Sequence, residues 1–175
     1  MGSCSKGKGS ECVRDTIKKI IAAQDEVAER DHCCDVSCER SIRDLLSPAG
    51  AGMGDTTIPF TLICKDCKPF IGSGARFANN MYQCLESPFF RAKKFVDDKK
   101  DCVKLELLIP INGGSGNACH SKKGRVCDFL DMSPGFYETG VCITVDLDCF
   151  CGISCLSPTT PEPYPTQVAP APAQD

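Results

Sequence analysis

From Cys12 to about Arg30 the apolar residues Val13, Ile17, Ile20, Ile21, Val27 and Ala28 recur at helical spacing, with Lys18, Lys19, Asp25, Glu26 and Glu29 between them. The spacing predicts an amphipathic helix over residues 12–30 with Ser10 as its N-cap. The periodicity stops at His32-Cys33-Cys34, residues 41–46 allow one more helical turn, and the Pro and Gly content of residues 47–55 marks a loop. After residue 55 the pattern changes to short β-branched and aromatic runs between turn signals, which predicts strands at 56–64, 68–71, 89–96, 102–111 and 141–153. In the last of these, Val141, Ile143, Val145, Leu147, Cys149, Cys151 and Ile153 share one face, while Thr144, Asp146 and Asp148 lie on the other. One face of a single long strand is therefore expected in a core.

The Gly-rich segment 113–117 lacks the Lys-Ser/Thr of a phosphate loop and opens no helix, so it reads as a connection. From Ser157 the chain carries six of its 12 prolines, which predicts an extended, disordered tail. The expected organisation is a flexible arm over residues 1–11, one domain over 12–156 with its β-rich part at 56–156, and a Pro-rich tail over 157–175. The expected fold class is α+β, mainly β: an N-terminal amphipathic helix followed by an antiparallel β-sandwich or barrel-like domain.

Composition changes the picture at two points. A net charge of -3 over 175 residues, with no segment of unopposed Lys and Arg, removes the footprint that nucleic acid requires. No apolar run approaches the roughly 18 residues of a membrane span, and Met1-Gly2-Ser3-Cys4 opens no apolar leader, so membrane insertion and classical secretion are not expected. The second point is the 15 cysteines, several times ordinary usage in a chain long enough to build a core without staples. Thiols at this density bind metal, carry out redox chemistry or form cross-links.

A zinc site could draw on His32, Cys34, Cys64 and Cys67, but Cys64-Lys65-Asp66-Cys67 is the only Cys-x-x-Cys, and paired motifs are what a zinc ribbon needs. A catalytic dithiol should open a helix, whereas Thr61-Leu62-Ile63 before Cys64 reads as strand. Neither His32 nor His120 is placed as a base for a distant nucleophile, and Asp146 with Asp148 lacks a third catalytic group. No enzyme activity and no cofactor are expected; a zinc-stabilised binding module and a small thiol redox enzyme remain as alternatives. Because the cysteine count is odd, full intrachain pairing leaves at least one thiol free or paired outward. The candidates for disulfides or cross-links are Cys4 on the arm, Cys12 at the helix start, Cys33, Cys34 and Cys38 after it, and Cys142, Cys149, Cys151 and Cys155 before the tail.

The segment Cys142-Ile143-Thr144-Val145-Asp146-Leu147-Asp148-Cys149-Phe150-Cys151-Gly152-Ile153-Ser154-Cys155-Leu156 closely resembles the C-terminal signature of cysteine-rich spore coat and exosporium proteins of the coat protein Y/Z type. Cys12-Val13 with Asp15 leading an amphipathic helix to Gln24, then Thr57-Ile58-Pro59-Phe60, and Cys84 followed by Phe89-Phe90-Arg91 stand in that family's order. The resemblance spans residues 12 to 157, with Cys64-x-x-Cys67 and the long Pro-rich tail as departures. It implies a structural, morphogenetic protein that self-assembles into two-dimensional arrays cross-linked by disulfides. Its partners would be further copies of itself and other coat or exosporium proteins. It further implies synthesis in the mother-cell cytoplasm, deposition in an outer spore layer, and oxidation once the mother cell lyses, which explains abundant cysteine without an export signal.

Overall fold

The computed structural model describes residues 9–27, 34–47, 54–96, 101–111, 126–130 and 132–165. The chain divides into two units, Met1–Cys34 and Asp35–Asp175. The first contributes one helix, α1 (Gly9–Val27), on which Val13, Ile17, Ile20 and Ile21 form an exposed apolar stripe. Ser10 lies inside this helix and so does not cap it, and residues 28–30 lie outside the described residues.

The second unit begins with α2 (Cys38–Leu46), longer than the single turn expected at 41–46. Ser37 sets its start: the residue is extended and its hydroxyl accepts the Arg40 N–H at 3.1 Å, which satisfies one of the free donors of the first turn. Then come β1 (Phe60–Cys64), β2 (Gly72–Ala78), β3 (Met81–Ser87), β4 (Phe89–Phe95), β5 (Cys102–Pro110), the short α3 (Val126–Leu130), β6 (Phe136–Asp146), β7 (Phe150–Cys155) and β8 (Glu162–Pro163). Six of the strands form one sheet in the order β7-β1-β4-β5-β6-β8. It is antiparallel except where β8 joins β6 in parallel. Among the described residues β2 pairs with β3 alone, as a separate hairpin that packs against β6 and β5.

The protein is thus α+β and mainly β, with its described strands arranged as a six-stranded sheet and a hairpin where a sandwich or barrel-like domain was expected. Alternation along the strands builds two cores. Phe90, Val103, Leu105, Leu107 and Val141 lie on one face with Leu85 of the hairpin. Phe89, Leu108 and Phe136 lie on the other, covered by Val126, Phe129 and Leu130 of α3 and by Leu156. The neighbours Phe89 and Phe90 enter opposite cores because successive side chains of a strand point to opposite faces. The hairpin can lie this close because two positions lack a side chain. A Cβ on Gly72 would stand 2.6 Å from the Phe90 ring, and one on Gly74 would stand 2.5 Å from Val141 Cγ1.

Three sequence expectations are corrected. No strand forms over 68–71, where Pro69 makes an isolated bridge to Ile63, and the two strands that follow it, β2 and β3, were not predicted. Their turn, Asn79-Asn80, holds both residues at positive φ, 53° and 60°, which is the backbone a two-residue hairpin demands and which Asn tolerates. The strand expected at 141–153 is broken at Leu147–Cys149 by a 3-10 turn, nucleated where the Asp146 carboxylate accepts the Asp148 N–H at 2.9 Å. The tail is also part of the fold as far as residue 165: Thr159 bridges Thr57, β8 pairs with β6, and Tyr164 packs edge-on against Tyr137 and beneath the Arg76 guanidinium. Residues 166–175 lie outside the described residues.

Candidate functional site

Cys38 and Cys155, 117 residues apart in sequence, are bonded to each other with their Cα atoms 4.9 Å apart. The first residue of α2 is thereby tied to the last residue of β7. A second contact holds the same junction, where the buried Ser41 hydroxyl donates to the Leu156 carbonyl at 2.8 Å. Two of the cysteines named as candidates for disulfides or cross-links are therefore paired within the chain. Spacing could not reveal this pairing, because a sequence separation this long carries no geometric constraint.

Apart from Cys34, which ends the first unit, the other described free thiols lie in the second unit. Cys34, Cys67, Cys84, Cys127, Cys142, Cys149 and Cys151 are exposed, and Cys64 and Cys102 are half-buried. Cys149 and Cys151, which the sequence places on the apolar face of one strand and also among the cross-link candidates, are both exposed: the 3-10 turn breaks the strand at Cys149, and a register shift falls at Cys151. Cys12 falls within α1. Cys4, Cys33 and His32 lie outside the described residues.

Cys64, Cys149 and Cys151 come together where β1 meets the start of β7. The register passes from Ile63 opposite Gly152 to Cys64 opposite Phe150, so Cys151 is an extra residue in the ladder. Its Sγ lies 3.0 Å from the Cys64 carbonyl oxygen, which also accepts the Cys67 N–H at 2.9 Å. Burial, then Asp66, then Cys149 and Cys151 push the Cys64 thiol above its ordinary pKa. Of the zinc candidates, Cys64 and Cys67 share this turn while Cys34 precedes α2, and among the described residues no group of three or more ligating side chains is arranged to hold a metal ion.

A charged network crosses the middle of the sheet. Arg91 on β4 reaches Glu106 on β5 at 2.8 Å and Glu138 on β6, while Lys93 Nζ stands 3.2 Å from Glu106. The remaining oxygen of Glu106 accepts the Gly140 N–H at 2.8 Å, made possible by a local irregularity in β6 where Gly140 adopts φ 72°. Burial alone would raise the Glu106 pKa, but the bonds from Arg91, Gly140 and Lys93 outweigh it and hold the carboxyl below its usual range. For Arg91, likewise, the lowering by burial is outweighed by Glu106 and Glu138, and its pKa is raised. Every charge here is answered by another, which makes the network an element of architecture. The sequence reading missed it, although Glu106 inside the apolar run Val103-Lys104-Leu105-Glu106-Leu107-Leu108 was a visible signal of a buried charge needing a partner.

The chain was compared with known proteins. The family model described as Spore coat protein Z matches residues 1–158. Spore coat protein Z of Bacillus subtilis (strain 168) is 29% identical over 151 residues, covering 86% of this chain and 92% of the relative. No solved structure matches.

Proposed function

The chain belongs to the spore coat protein Z family, and from that premise we propose that it self-assembles into ordered two-dimensional arrays that disulfides lock into a covalent layer. A structural role in the spore coat follows from the family itself. The observation that supports the finer reading is the exposure of thiols: one described pair staples the monomer, while seven other described cysteines are exposed. Several exposed thiols allow one subunit more than one covalent neighbour, as a sheet requires. Closed rings need heterologous contacts, and joining rings needs a further, independent one. Each link converts a weak interface into one that dissociates only after reduction.

In this reading the protein is not an enzyme and takes no cofactor. Its partners are copies of itself and other proteins of the coat, crust or exosporium. It is made in the mother-cell cytoplasm, and its thiols are oxidised after the mother cell lyses. No described helix is long and apolar enough to cross a membrane. The test is electron microscopy of the purified full-length protein with and without reductant, alongside non-reducing gels. Flat periodic arrays and gel ladders that collapse on reduction are expected. Dispersed monomers under both conditions would refute the proposal.

A further inference from the structure

We propose that Cys64 and Cys151 form a second intrachain disulfide, made by exchange with a low-molecular-weight disulfide, which ties the start of edge strand β7 to β1. The inference stands on the folded monomer and goes beyond the coat reading. Among the described residues β7 is the end strand of the six-stranded sheet and pairs with β1 alone. Its far end is already covalently held through Cys155 and Cys38. At its near end the ladder slips by one residue, and Cys151 is that residue.

A bulge bends its strand and re-aims the side chain of the extra position. Here it brings the Cys151 Sγ to 3.0 Å from the Cys64 carbonyl oxygen, within the residue it would bond. A lateral strand spacing near 4.8 Å and a rise near 3.3 Å put diagonal Cα neighbours roughly 6 Å apart. That lies inside the window of about 4.4–6.8 Å that a disulfide spans. Cys149 sits beyond Phe150 on the 3-10 turn, outside the bulge, and with Cys67 it stays exposed for links to other molecules.

The two thiols differ in a way that orders the chemistry. Cys151 is exposed and meets a soluble oxidant first, whereas Cys64 is half-buried and its pKa is raised. The Cys151 thiolate attacks one sulfur of the small disulfide, forming a mixed disulfide and releasing one small thiol. Cys64 then loses its proton to solvent and attacks the Cys151 sulfur, expelling the second small thiol. Two protein thiols lose two electrons, and the small disulfide is reduced to two thiols.

The test uses the full-length chain with its Cys38–Cys155 bond intact, held dilute and exposed to oxidised glutathione. Free thiols are then alkylated and the monomer is digested with chymotrypsin, which cuts after Phe150 and so separates Cys149 from Cys151. Because the peptide 63–70 also holds Cys67 and the peptide 151–156 also holds Cys155, fragment-ion sequencing locates each bonded sulfur, and the expected map joins Cys64 itself to Cys151. Alkylation of Cys64 should fall severalfold in the wild type and in Cys149→Ser, and should return to the fully reduced level in Cys151→Ser. A Cys64 peptide joined to Cys149, a bond between Cys149 and Cys151, or Cys64 fully alkylated in the wild type would overturn the proposal. The readout is taken on monomer, so neither success nor failure depends on whether the protein forms arrays.

Discussion

Replacing both Cys38 and Cys155 by Ser removes the bond between α2 and β7 without leaving an unpaired thiol to scramble. The bond closes a loop of 117 residues, and loop-closure entropy for that length gives a ceiling of about 5 kcal/mol. Native disulfides typically return about 2–5 kcal/mol when removed. The Ser41 hydrogen bond to the Leu156 carbonyl survives the substitution and keeps the native junction in place, so the loss is expressed mainly through a freer unfolded chain. For a domain of this size each kcal/mol moves the melting temperature by about 2–4 °C, so the fall should be roughly 4–20 °C. The assay is thermal unfolding by circular dichroism on monomer with all other thiols alkylated. The doubly substituted protein should melt at the same temperature with and without reductant, and reduced wild type should join it. A melting temperature unchanged from oxidised wild type would refute the argument that this bond restrains the unfolded chain.

Glu106→Gln keeps the shape of the network but leaves Arg91 and Lys93 without their shared carboxylate, and should cost about 3–5 kcal/mol in a urea titration. The native carboxyl is held below its usual range, so its contribution is fully present above the unfolded pKa and is lost as pH falls through the lower native one. Wild-type stability should therefore decline on acidification below about pH 5 more steeply than that of Glu106→Gln, and parallel profiles would contradict the assignment. Gly74→Ala forces a methyl group to within 2.5 Å of Val141 Cγ1 and should destabilise by about 1–3 kcal/mol in the same titration; a neutral result would mean the hairpin does not sit on β6. Tyr164→Ala removes the contacts to Tyr137 and Arg76 and should cost about 1–2 kcal/mol while raising protease sensitivity after residue 157. No change in either readout would return that segment to a solvated tail.

Local signals carried much of the secondary structure. The run around Phe89-Phe90-Arg91 and the apolar run after Cys102 were legible as strands because β-branched and aromatic residues bounded by breakers leave few alternatives. The residues 41–46 were legible as helix from their spacing, although the start at Cys38 depends on the Ser37 cap. The hairpin of β2 and β3 was overlooked because Gly72 and Gly74 look like loop residues, yet they are glycine so that another strand's side chains can approach. The break at Leu147–Cys149 was hidden because a short polar cap interrupts a pattern that period-2 alternation reads straight through.

The candidate site divides in the same way. Thiol abundance, an odd count and a cysteine-dense C-terminal signature are properties of the chain alone, and they sufficed to point to cross-linking and to the coat family. Which thiols meet is a property of strand register. Cys38 reaches Cys155 only because α2 abuts the end of β7, and Cys151 reaches Cys64 only because the ladder slips by one residue. Residues this far apart in sequence are joined by the sum of many weak packing choices across the sheet, and no local pattern encodes that sum. Composition therefore determined what chemistry this protein has available, and the tertiary fold decided which sulfurs are used within the chain and which face outward.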